Sequence, residues 1–134
     1  MTRALPLILA ILWPAPAAVE PSGVTGWASA YAPGAMEQVI TVRSVNGWWH
    51  YPPPLGWYQQ VDGAIAEIPC TRVGAIITMR AGGNDYRVLV ADCAGDDGPI
   101  DRFERRGIVA ELDARLYERL TAAHGRPLRI ELRN

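Results

Sequence analysis

Residues Tyr86–Phe103, YRVLVADCAGDDGPIDRF, begin as an apolar strand and end on a carboxylate beside a thiol. Val88, Leu89 and Val90 suit a sheet interior. Asp92 and Cys93 then bring a titratable acid and a sulfur, with Asp96, Asp97 and Asp101 close behind. Such a group could hold calcium, but the EF-hand template fails, because counting from Asp92 puts Ala94 at position 3 and Asp97 where the template needs Gly. A nucleophilic thiolate at Cys93 would need a base, and only His50 and His124 are present. Two cysteines cannot build a zinc site without both histidines, so no metal of that kind is expected; no cofactor is expected either, and an irregular calcium site in the acidic loop stays open. Asp92 then either satisfies backbone N–H groups in an Asx-turn or serves a site.

A second cluster is aromatic. Trp48, Trp49, Tyr51, Trp57 and Tyr58 fall within eleven residues of a loop that also carries three consecutive prolines. Sugar rings stack on flat aromatic faces, and large exposed aromatics concentrate at binding sites. The same rings could instead cover one end of a small core.

The elements that must position these residues fit one domain, since 134 residues leave no room for a second core. Residues 1–17 have Arg3, an apolar run from Ala4 to Trp13 and Ala15-Pro16-Ala17, the pattern of a secretory signal with an A-x-A cleavage site. That run is about half the ~20 residues a spanning helix needs, so a secreted or periplasmic chain with no membrane span after cleavage is expected. Export favours a Cys70–Cys93 disulfide, which would close a loop worth about 3 kcal/mol. A net charge of -1 leaves no footprint for nucleic acid.

After a lead-in at 18–25, strands are predicted over Gly26–Ala32, Glu37–Arg43, AIAEIPC, GAIITMR, YRVLVAD, IVAEL and PLRIELR. The aromatic and proline-rich loop spans 44–63, AGGND is a hairpin tip, and a polar loop runs from Cys93 to about Gly107. Asp113 reads as the N-cap of one short helix with Leu116, Leu120 and Ala123 on its apolar face, stopped by Gly125 and Pro127. The expected fold is mainly β, a six- or seven-stranded barrel with one short helix.

Four stretches carry a resemblance: Gly26–Tyr31 (GWASAY), Gly74–Met79, Val88–Asp92 and Glu111-Leu112-Asp113. Over about residues 26–133 the chain resembles the double-psi β-barrel domain of rare-lipoprotein-A-like lytic transglycosylases, expansins and barwin-like proteins. Its Asp-Cys pair with a cysteine upstream is most similar to the barwin-like branch. The resemblance implies a groove for a cell-wall polysaccharide in a monomeric, exported protein. Asp92 would be the principal acid, Glu111 or Asp101 its partner, and Tyr31 a part of the groove. Trp48, Trp49 and Trp57 would hold the glycan. A carboxyl at the rim of an apolar barrel is partly desolvated, which raises its pKa and suits it to protonate a glycosidic oxygen without a metal. Cys93, tied to Cys70, would brace that carboxyl.

The lytic branch has a histidine just before its hairpin glycine, and AEIPCTRVG, ending at Gly74, has none. Thr121–His124 (TAAH) lies after the Asp instead, so His124 is expected as an exposed helix-terminal residue. His50 is a candidate for the missing histidine. Without it, a non-catalytic expansin-like binding module or a structural barrel are the other readings.

Overall fold

The computed structural model describes residues 23–134 apart from 69 and 95–98. The expected signal at 1–17, most of the lead-in, and Asp96 and Asp97 lie outside the described residues.

Six strands close into a barrel in the order β1-β5-β2-β4-β3-β6: β1 Val24–Ala30, β2 Gly63–Glu67, β3 Ile76–Ala81, β4 Asn84–Cys93, β5 Ile108–Leu112 and β6 Leu128–Arg133. β1 with β5 and β2 with β4 are parallel, and the other four pairs are antiparallel. Period-two alternation sorts the side chains into two clusters. Ile65, Met79, Val88, Val90, Leu112, Ile130 and Leu132 fill the interior, and Ala64, Ala66, Leu89 and Ala91 face the other way. Gly82 and Gly83, both at positive φ, form the two-residue turn between Ala81 and Asn84, as a hairpin of that length prefers.

Three helices complete the fold: α1 Ala35–Asn46, α2 Pro99–Arg106 and α3 Ala114–His124. α3 is the expected helix. Asp113 occupies its N-cap position without a side-chain cap bond, and Leu116 and Leu120 are buried. Ala123 is exposed, and the third buried residue is Thr121, whose hydroxyl donates to the Tyr117 carbonyl at 2.8 Å.

The other two helices correct the sequence expectation. The strand predicted at Glu37–Arg43 is the middle of α1. Its β-branched residues suggested a strand, but Gly34 and Gly47 sit in left-handed conformations at its two ends, a natural C-terminal stop at Gly47. Met36 and Ile40, one turn apart, pack on the second cluster. Val42, one of those β-branched residues, remains largely exposed. Tertiary packing outweighed β propensity. The polar loop expected before Gly107 contains α2, opened by Pro99 and closed by Gly107 at positive φ. No described helix is long and apolar enough to cross a membrane.

The aromatic loop is docked at Gly74. The Tyr51 N–H donates to the Val73 carbonyl at 3.0 Å, and the Tyr51 carbonyl lies where a Cβ on Gly74 would be. Gly74 has a φ of +103°, which L side chains rarely adopt. Gly74→Ala is therefore expected to destabilise the protein by about 2 kcal/mol in urea denaturation and to shift the fluorescence of the half-buried Trp49. A neutral substitution would show that the loop is not seated there.

Candidate functional site

The acidic residues meet on the outer face of the barrel because of a register shift. Val90 pairs with Ile65, yet the next pairing is Asp92 with Ala66, so Ala91 is an extra residue in β4. Strict alternation would aim Asp92 with Val90 into the interior. The bulge turns it onto the face of Ala66, a common use of bulges. On the other side of Ala66 the antiparallel partner is Glu111, and the parallel partner of Glu111 is Ser29. One row across four strands therefore reads Ser29, Glu111, Ala66, Asp92. The two acids stand two strand spacings apart, about 10 Å at the backbone, with only a methyl group between.

Their environments differ. Asp92 accepts the Tyr31 hydroxyl on Oδ2 at 2.8 Å and Arg43 Nη2 on Oδ1 at 2.7 Å. Both oxygens of Asp92 therefore accept, one from each donor. The Tyr31 hydroxyl is pushed well above its ordinary range by burial first and by the Asp92 bond and charge next. Glu111 makes no side-chain hydrogen bond among the described residues; burial, and then the Asp92 charge, raise its pKa. Ser29 Oγ is buried without a partner among the described residues.

Asp92 lines a groove of about 410 Å³ together with α1 residues Ala35, Val39, Val42 and Arg43 and with Trp48. Trp48 is 62% exposed. The other two tryptophans expected as a glycan platform lie elsewhere. Trp49 is half-buried against both core clusters. Trp57 packs on the second cluster, edge-on to Tyr58, beside a separate hollow that includes Met36 and Asp113.

The Cys70–Cys93 disulfide is present, with Cα atoms 4.9 Å apart, directly after Asp92. Asp101 lies in α2, and only its backbone is described. His50 Nδ1 accepts the Val73 N–H at 3.2 Å and makes no bond to Asp92 or Glu111. His124, expected exposed, is half-buried: its Nε2 is 3.0 Å from the Tyr86 hydroxyl, and its ring fills the space that a Cβ on Gly82 would need.

Sequence reasoning missed Arg43. Read as helical, Met36, Ile40 and Arg43 fall at i, i+4 and i+7 on one face, which would have pointed the guanidinium at the barrel. It missed the bulge at Ala91 as well, for which the sequence has no signal. No family model, no curated protein and no solved structure matches the chain.

Proposed function

We propose that the chain is an exported double-psi β-barrel of the rare-lipoprotein-A, expansin and barwin kind. On this reading its outer acidic face engages a cell-wall polysaccharide strand and cleaves it by acid catalysis, the sugar's own 6-hydroxyl closing on C1 as the glycosidic bond breaks and giving its proton to the carboxylate that protonated the leaving oxygen. The observation that carries the proposal is the pair of carboxylates in one row with different environments, one of them, Asp92, sharing a groove with the exposed Trp48 indole. Two carboxyl groups in different surroundings can divide the labour of glycosidic cleavage. The desolvated one, without a hydrogen-bond partner among the described residues, donates the proton to the leaving oxygen. The one held by Tyr31 and Arg43 faces the positive charge developing on the sugar. Glu111 fits the first role and Asp92 the second, the reverse of the emphasis the sequence suggested. Trp48 offers a stacking face at the mouth of the groove. The closed barrel with two parallel strand pairs supports the family reading.

A second reading has its own observation. Both oxygens of Asp92 are engaged by Tyr31 and Arg43, and among the described residues no histidine hydrogen-bonds to the acidic row. That suits a module that grips a glycan without turnover.

The test is oxidised protein incubated with peptidoglycan, with and without stem peptides, followed by mass spectrometry of released sugars. Anhydro-sugar products from the wild type, falling at least a hundredfold in Asp92→Asn, would support the enzyme. Co-sedimentation without product would select the binding module. Neither binding nor product would reject the glycan reading.

A further inference from the structure

Arg43 makes contacts that no role in acid catalysis requires. One arm of its guanidinium, Nη2, reaches Asp92. The other, Nη1, donates to the Trp48 carbonyl at 2.8 Å, and the Trp48 N–H returns a bond to the Arg43 carbonyl at 3.0 Å. Trp48 is thus bracketed by one residue through both its backbone groups, just after the glycine that ends α1. Nε of Arg43 is buried with no partner among the described residues. A guanidinium that leaves one donor unsatisfied while filling two others across different elements is held by those two contacts.

We propose that Arg43 is a positioning residue that joins the acidic row to the aromatic wall, so that Asp92 and Trp48 move as one unit. Lysine cannot do this, because a single ammonium lacks the planar fork that reaches two acceptors on opposite sides. α1 is then more than a cover for Met36 and Ile40. It carries the rod that fixes the width of the groove between Val42 and Trp48. The weight of this coupling for substrate rests on the glycan reading above, but the coupling can be measured with no glycan present.

The experiment is a backbone ¹⁵N relaxation measurement at the Trp48 amide in wild type, Arg43→Met, Arg43→Lys and Asp92→Leu, with the amides of Met79 and Val88 reporting the intact barrel. Wild-type Trp48 is expected at an order parameter of about 0.85, falling below about 0.6 in Arg43→Met. Arg43→Lys should keep the charge pair and still loosen Trp48. The deciding variant is Asp92→Leu, which removes the far acceptor of Arg43 and leaves both Arg43–Trp48 backbone bonds in place: coupling requires Trp48 to loosen there too. If Trp48 loosens in Arg43→Met but stays rigid in Asp92→Leu, Arg43 merely closes the helix end and the proposal is overturned. Rigidity in both variants overturns it as well. Should Arg43→Met lose the barrel signals, Asp92→Leu decides alone. A chain that proves coupled but neither binds nor cleaves peptidoglycan would reject the glycan reading and leave the coupling standing.

Discussion

Glu111→Gln is expected to lower turnover on peptidoglycan about a thousandfold, leave co-sedimentation unchanged, and raise the melting temperature at neutral pH. The first two effects follow from removing a proton donor while keeping the shape and the aromatic wall. The third follows from the cost of holding a charge in that place. Burial and the neighbouring Asp92 raise the pKa of Glu111 above the ordinary 4.5. An acid raised on folding binds more protons in the native state than in the unfolded one between the two pKa values. Its contribution to stability is therefore complete below the unfolded value and lost as pH rises through the folded one. Glutamine does not ionise and escapes that loss. Below pH 4.5 variant and wild type should melt alike, and above the raised value the variant should lead by a few degrees. Asp85 and Glu131 are shifted the opposite way by Arg80 and Arg133, but they are common to both proteins and cancel in the difference. Undiminished turnover would move the acid elsewhere. A variant that melts lower at neutral pH would mean that the Glu111 charge is stabilised, which the desolvation argument forbids.

The parts of this molecule legible in the sequence are those whose physics is local. Leu128, Ile130 and Leu132 alternate and are buried. Gly82-Gly83 specifies a hairpin, and Leu116 with Leu120 gives α3 its inner face. The candidate acids Asp92 and Glu111 were readable as types at strand ends. Their relation was not, because it depends on an extra residue at Ala91 and on Ala66 standing between them in a third strand. Nor was the difference between their surroundings, since Arg43 reaches Asp92 from α1. A helix that carries the β-branched run Val39–Val42 imitates a strand when read by residue type alone. The aromatic cluster was visible as composition, yet which ring is exposed depends on Gly74 holding Tyr51 and so turning Trp49 inward.

Arg72→Met is expected to cost about 3 kcal/mol of stability, some 15 °C in melting temperature, although Arg72 lies off the acidic face. Glu67 is only 5% exposed. It receives Arg72 Nη2 on Oε1 at 2.7 Å and Nε on both oxygens at 3.0 and 3.1 Å, while Arg72 Nη1 ties Asn134 at 2.7 Å. Deleting the guanidinium strands a buried carboxylate, and that desolvation cost dominates the loss. The double variant Glu67→Leu/Arg72→Met removes both charges and should recover most of the stability, which separates a stranded charge from lost packing. A loss below about 1 kcal/mol in the single variant would show the pair to be as weak as an exposed one. The consequence reaches the site through the chain. The Glu67 carbonyl accepts the Ala94 N–H at 3.0 Å, and Cys70, between the two charged partners, is bonded to Cys93. Both ties close on the end of β4 just past Asp92. The charge pair, the disulfide and the bulge thus act on the same residues, and Arg72→Met should weaken glycan binding at temperatures where the barrel is still folded, because the first strand end to loosen is the one that carries the acid.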